Sequence, residues 1–266
     1  MPAGYTHEHI ALLALGEKEP MLPALMLGSC GPDVLYLVEP LSALAGENIG
    51  QRLHKRETAG FLALLLDVCE GSAVTRAYAK GFLTHYAADT VFHPYVYALS
   101  TGAGGYSTLT HTAVETALDE WMRSLGAVHE PILPEDGALK AISACLVTAV
   151  RRWDGHTVLN ESEVADAMRW SMGVRTVKRH FSSLPAGNPY PAEKLFVPSW
   201  TDRTTNLPHT ETPFDLLGKS IRVSEELARA ADDYLHGRLS YSAFRDRTGD
   251  LSYLTGAPWQ GTEGNG

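Results

Sequence analysis

Apolar residues recur along most of the chain at the three- and four-residue spacing of α-helices, and no alternating pattern of strand length persists. The pattern predicts helices over residues 7–16, 20–29, 54–69, 72–93, 108–125, 139–153, 163–177, 213–236 and 241–247. Pro94 is expected to end the fourth helix, because proline disfavours helical geometry in the residue before it. The run from Phe61 to Val68 is apolar almost all round, which is typical of a central helix covered on several sides. We therefore expect an all-α fold, a compact multi-helix bundle.

The length of 266 residues fits either one large domain or two of ordinary size, and we favour one. One domain is expected over residues 1–256, followed by a disordered tail at 257–266. A breaker-rich loop is expected at 28–33, and a longer stretch rich in proline and polar residues lies at 182–213. An ordered loop of that length usually covers a site or wraps the surface of a domain.

Two columns of polar residues stand out within the predicted helices. His85, Asp89 and His93 are spaced at i, i+4 and i+8, so they share one helix face, and His111 with Glu115 repeats the pattern. An exposed i,i+4 pair is the alternative for His85 and Asp89. Three polar groups in a row on an otherwise apolar helix need partners, however. Imidazole nitrogens and carboxylate oxygens suit divalent transition metals, zinc above all, so we expect a metal cluster between helices.

Further candidate ligands precede the columns. His7, His9, Asp33 and His54 lie upstream, with Asp33 in a Gly-Pro-Asp loop and His54 at the start of the predicted apolar helix. Asp33 alone could instead form an Asx-turn or cap a helix, and the three histidines could be solvated. Asp119 extends the second column by one turn, either as an outer partner of the site or as a surface carboxylate.

Composition narrows the functional choices. The formal charge is −9, so broad electrostatic binding to long nucleic acid is not expected. The three cysteines are widely spaced and form no Cys-x-x-Cys motif, which favours free thiols in a reducing compartment. The sequence has neither a signal-peptide pattern nor an apolar run of about 20 residues. We therefore expect a cytoplasmic protein without a transmembrane segment.

The order of these candidates resembles the zinc-dependent phospholipase C family, whose relatives include the S1/P1-type nucleases. The resemblance rests on the Tyr-Thr-His opening at 5–7, the Gly-Pro-Asp loop at 31–33, the segment from Gly81 to Asp89 and the His-Pro pair at 93–94. It covers about residues 5–120 and is most specific to shorter bacterial members without a signal peptide. The family implies an all-helical domain that binds three zinc ions.

The resemblance also implies a set of roles. Four residues would hold one zinc ion, three a second, and His7 with a bridging Asp89 the third. The first set is Asp33, His54, His85 and Asp89, and the second is His93, His111 and Glu115. Secreted members complete the third site with an N-terminal tryptophan, whereas this chain begins Met1-Pro2. The third site could therefore be absent, completed by His9 or water, or occupied by another metal.

The expected function is hydrolysis of a phosphoric ester, with a metal-activated water attacking phosphorus. The resemblance makes Asp33 the residue that orients or deprotonates this water. A lipid and a small soluble phosphoester both fit as substrate, and the oligomeric state stays open. Two alternatives use the same cluster: an iron- or manganese-dependent oxidative enzyme and a metal-stabilised module without turnover.

Overall fold

A computed structural model of the chain describes residues 4–38, 48–102, 105–126, 132–181 and 190–259, and the secondary structure of this part is almost entirely helical. The α-helices are α1 (Gly4–Leu15), α2 (Leu22–Gly28), α3 (Ile49–Leu53), α4 (Thr58–Cys69), α5 (Ala73–Ser100), α6 (Thr108–Ser124), α7 (Asp136–Trp153), α8 (Glu161–Phe181), α9 (Pro213–Leu235) and α10 (Tyr241–Thr248). Short 3-10 segments span Gly16–Lys18, Gly31–Leu37 and Ala192–Leu195. The all-α prediction is confirmed.

Two antiparallel two-stranded ribbons complete the described elements. Strand β1 (Thr101–Gly102) pairs with β2 (Gly105–Tyr106), and β3 (Trp200–Thr201) pairs with β4 (Pro208–His209). The second ribbon lies in the proline-rich stretch predicted to be a loop, of which residues 182–189 lie outside the described part. Within the described residues, no helix combines the length and apolar character needed to cross a bilayer.

The long helix α5 is the axis of the fold, because it contributes side chains to both hydrophobic cores. Its first half carries Tyr78 and Phe82 into a core formed with α2, α4, α7 and α8. Its second half carries Phe92 and Tyr95 into a core shared with α1 and α6. The stretch between Phe82 and Phe92 therefore lies where the two cores meet, and it includes His85 and Asp89 of the first ligand column.

Helices α2 and α5 approach closely enough that only glycine fits at their crossing. A Cβ added to Gly28 would lie 2.1 Å from the carbonyl oxygen of Tyr78, and one added to Gly81 would lie 2.1 Å from that of Leu25. This backbone-to-backbone contact places Ser29, the residue after α2, beside the first ligand column.

Two predicted helix boundaries are wrong. His54 does not begin the apolar helix: it is the C-cap of α3, and α4 begins only at Thr58. Helix α5 does not end before Pro94 but continues to Ser100. Proline removes one backbone donor, and burial of the next two side chains, Tyr95 and Val96, stabilises the continuation. The loop predicted at 28–33 passes into the 3-10 segment Gly31–Leu37.

The C-terminal segment, residues 248–258, folds back over α4 and α5. Asp250 accepts a hydrogen bond from the first-turn amide of Ala59 in α4 at 2.9 Å, and the Leu251 amide donates to the Tyr86 hydroxyl of α5 at 2.9 Å. Pro258 forms a β-bridge with Leu251, so residues 257–259 of the predicted tail belong to the described part and 260–266 lie outside it. The single domain over 1–256 stays a prediction.

Candidate metal centre

Five separate stretches of chain bring the predicted ligands to one place. His7 comes from α1, Asp33 from the 3-10 segment and His54 from the end of α3, while α5 and α6 supply the two columns. Seven of the eight candidates line one cavity of about 190 Å³, and the eighth, His85, is fully buried.

The candidates form three groups, in each of which one possible ligand atom per residue lies within 4.8 Å of the others. The groups are His7, His85 and Asp89; Asp33, His54 and His85; and His93, His111 and Glu115. The third group matches the set expected for the second zinc ion. The other two share His85, where the expected sets shared Asp89.

Three of the histidines are oriented by backbone carbonyls. The Nδ1 atoms of His54, His85 and His93 lie 2.7, 3.0 and 2.7 Å from the carbonyl oxygens of Gly50, Ser29 and Tyr253, respectively. A carbonyl oxygen can only accept, so each Nδ1 must carry a proton, and Nε2 of the neutral ring is left as an acceptor. This arrangement is common for histidines that bind a metal through Nε2.

Each of these Nε2 atoms faces a carboxylate. The distances are 3.2 Å from His54 to Asp33, 3.0 Å from His85 to Asp89 and 3.5 Å from His93 to Glu115. An ionised carboxylate is also an acceptor, so each pair needs a proton or a metal ion between its members. Within the described residues, the buried atoms His85 Nε2 and Glu115 Oε2 have no hydrogen-bond partner. The donor set therefore fits a metal cluster.

Asp89 connects the groups. Its Oδ1 lies 3.2 Å from His7 Nε2 and 3.6 Å from His93 Nδ1, while its Oδ2 lies 3.0 Å from His85 Nε2. Burial opposes ionisation of this carboxyl, but the surrounding histidines hold the pKa of Asp89 well below its usual value. The carboxylate therefore stays charged and has partners on several sides.

The pKa values of the buried histidines shift in two directions. Burial lowers the pKa of His93, but the charges of Asp89 and Glu115 outweigh it and raise the pKa to about 9. Asp89 likewise raises the pKa of His85 against the effect of burial. Burial and the nearby His85 lower the pKa of His7. Without a metal, both ring nitrogens of His93 therefore carry a proton at neutral pH.

Zinc uptake at pH 7.5 is expected to release protons, at least one of them from His93. The pKa of about 9 keeps this ring protonated at pH 7.5, and zinc needs its neutral form. Proton competition should therefore weaken zinc binding at lower pH and fade as the pH rises through about 9. Calorimetric titrations in two buffers of different protonation enthalpy would measure the release. Replacing the exposed His156 by Gln should leave it unchanged, whereas zinc uptake without proton release would contradict the prediction.

Two further polar residues, His9 of α1 and Asp119 of α6, are buried near the predicted ligands. His9 is buried and stacks on Tyr5, with 6.0 Å between ring centroids, and it belongs to none of the described metal groups. Asp119 is not a surface carboxylate but is buried and supports the helix that carries His7. Its carboxylate accepts hydrogen bonds at 2.8 Å from both the amide and the hydroxyl of Thr6, the residue before His7, and so fixes the helix that carries His7.

Sequence reasoning missed several groups at the site. Tyr36, Thr108, Thr112 and Leu254 also line the cavity, and Tyr253 supplies the carbonyl that orients His93. Thr108 and Thr112 precede His111 and Glu115 by three residues on α6, so they could have been found from helical spacing alone. Nothing in the local sequence indicates Tyr253 or Leu254, because they reach the site only through the path of the C-terminal segment.

The comparisons with known proteins give one match. A family model described as "Zinc dependent phospholipase C" matches residues 6–183, about two thirds of the chain. Searches of curated proteins and of solved structures each gave no significant match. The matched range includes all eight candidate ligands and ends before the C-terminal segment.

Proposed function

The chain belongs to the zinc-dependent phospholipase C family, and from this premise we propose that it is a metal-dependent hydrolase of phosphoric esters. The observation that carries the proposal is the set of three histidines that backbone carbonyls fix with Nε2 facing carboxylates. Such a donor set suits zinc, and the family membership supplies the phosphoester chemistry.

All eight candidates are proposed as metal ligands, and the three groups suit two or three zinc ions. The ligands are His7, Asp33, His54, His85, Asp89, His93, His111 and Glu115. Bound zinc lowers the pKa of a coordinated water to near 7 and neutralises charge on the phosphoryl oxygens. His7, His85 and Asp89 support the third ion without a contribution from His9.

Asp33 is proposed as the catalytic base. Its side chain is 16% exposed, more than that of any other candidate ligand, so its carboxylate is the one most open to the cavity. Burial would raise the pKa of Asp33, but a hydrogen bond with His54 and the charge of His85 hold it below its usual value. The carboxylate is therefore ionised, and in this form it would orient a water molecule and accept its proton while the water oxygen bonds to phosphorus. The bond from phosphorus to the leaving oxygen breaks, that oxygen takes up a proton from solvent, and Asp33 returns its proton to solvent.

The remaining wall of the cavity favours recognition of phosphate by metal rather than by basic side chains. Its other described lining residues are Tyr36, Thr108, Thr112 and Leu254, and neither Lys nor Arg is among the lining residues in the described part of the chain. The volume of about 190 Å³ is smaller than the pockets that enclose drug-sized ligands. The phosphoryl group and a small neighbouring group would fit inside, and the rest of a lipid would remain outside. We propose a lipid or a small soluble phosphoester as substrate.

Replacing Asp33 by Asn is expected to lower hydrolysis by about 10²–10⁴-fold, the usual contribution of a general base. The panel should contain soluble phosphomonoesters, soluble phosphodiesters and phospholipid vesicles, so that the active substrate also separates the two substrate classes. Asp166→Asn is the matched control, because Asp166 is exposed on α8 and pairs only with Arg169 among the described residues.

The alternatives predict different results. Zinc-loaded wild-type protein that hydrolyses no member of the panel would overturn the proposal. An iron- or manganese-dependent oxidative enzyme would be recognised by elemental analysis and a visible spectrum, since zinc is colourless. A metal-stabilised module without turnover would retain its function after Asp33→Asn.

A further inference from the structure

The C-terminal segment, residues 248–258, contacts the metal centre although it lies outside the range matched by the family. Its central residue, Tyr253, has a side chain that is only 1% exposed. The Tyr253 amide donates to the carbonyl oxygen of His54 at 2.8 Å, and the Tyr253 carbonyl accepts from His93 Nδ1 at 2.7 Å. One residue therefore bonds to two candidate ligands from different helices.

The ring of Tyr253 completes this contact. Its centroid lies 5.1 Å from that of His54 and 5.8 Å from that of His85, and it packs edge-on against Tyr86 at 4.9 Å. Rotation of either histidine ring would have to displace a fully packed aromatic side chain. The ring therefore restricts the two imidazoles whose Nδ1 atoms bond to Gly50 and Ser29.

The segment is itself held against α5. Gly256 has a φ of +62°, and a Cβ added to it would lie 2.3 Å from the carbonyl oxygen of Thr90. Pro94 has no amide hydrogen, so this carbonyl lacks its usual helical partner and leaves room for the close approach. The proline that does not end α5 thus coincides with the place where the C-terminal segment contacts it.

We infer that Tyr253 is a positioning residue of the metal centre, which holds His54, His85 and His93 with Nε2 turned toward the ions. The inference rests on the proposed metal centre, but it does not depend on which phosphoester is cleaved. Because the carbonyl contact fixes the tautomer of His93, displacing Tyr253 should weaken metal binding as loss of an outer partner of a ligand does.

Zinc release into excess chelator tests the inference. Tyr253→Ala is expected to release zinc about 10–100-fold faster than wild type. The matched control is Phe244→Ala, because Phe244 is an equally buried aromatic residue of the same core, whose ring stacks on Tyr234 rather than on a candidate histidine. That control should lower thermal stability without accelerating zinc release. Equal acceleration in both variants would reduce Tyr253 to an ordinary core residue and overturn the inference.

Gly256→Ala provides a second variant that keeps the tyrosine. Its Cβ should displace the segment from Thr90 and weaken the contact with His93, so zinc release should again accelerate. In the zinc-loaded wild type, the Nδ1 proton of His93 should give an NMR signal that exchanges slowly with solvent, and in both variants the exchange should be faster. An unchanged Nδ1 signal in both variants would overturn the inference.

If wild type binds zinc but hydrolyses nothing, only the proposed function fails. If it binds no zinc, both fail.

Discussion

Asp89→Asn is expected to empty most of the metal centre and to lower phosphoester hydrolysis more than 100-fold. Loss of a residue that hydrogen-bonds to a metal ligand costs roughly 10–100-fold, and Asp89 is itself a candidate ligand that lies close to His7, His85 and His93. The neutral amide cannot balance imidazolium or metal charge and offers only one oxygen. Elemental analysis of the purified variant, together with kcat/KM on the best substrate of the panel, measures the effect.

The same substitution at Asp166 is the control for metal content and activity, since that carboxylate is exposed on α8. Thermal unfolding of the metal-free proteins separates loss of metal from loss of fold. Full zinc content and wild-type kcat/KM in Asp89→Asn would show that the carboxylate does not join the groups.

Gly28→Ala is expected to lower the free energy of unfolding by about 3 kcal/mol or more, at the upper end of the usual cost of overpacking. The added Cβ would meet the backbone carbonyl of Tyr78 at 2.1 Å, and a backbone atom cannot move aside as a flexible side chain can. Helices α2 and α5 would have to separate, which also withdraws the Ser29 carbonyl from His85. Urea and thermal unfolding measure the loss, with a fall in Tm of roughly 6 °C or more for a chain of this size.

Gly173→Ala is the matched control, for which we expect the opposite change in stability. Gly173 lies within α8, and a Cβ added there would meet nothing within 4 Å. Alanine favours helix over glycine by about 1 kcal/mol, so this variant should be slightly more stable than wild type. If Gly28→Ala unfolded at the same urea concentration as Gly173→Ala, the close crossing of α2 and α5 would be disproved.

The sequence predicted those parts of the site that depend on local spacing. His85, Asp89 and His93 could be placed on one face because four-residue spacing has the same meaning in every α-helix. The position of His54 could not be predicted, because the start of α4 depends on Asp250, which lies almost 200 residues farther along the chain and accepts from the Ala59 amide. The continuation of α5 through Pro94 likewise depends on tertiary burial of Tyr95 and Val96.

The orientation of the ligands was the least predictable feature. The Gly50, Ser29 and Tyr253 contacts use backbone carbonyls, which every residue possesses and no sequence pattern marks. Asp119 shows an intermediate case. Its column spacing suggested a link to the site, but only the fold shows that the link runs through Thr6 and α1.

The arrival of the ligands from five separate stretches of chain has a consequence for folding. The three cysteines, Cys30, Cys69 and Cys145, are free thiols, so no disulfide joins distant parts of the described chain. Metal ions that join His7 to Glu115 would close a loop of more than a hundred residues, and a permanent bond across such a loop is worth about 4–5 kcal/mol in the chain-entropy view. The cluster would therefore act as a reversible cross-link between the first helix and the middle of the chain, and this cross-link is lost when the metal leaves.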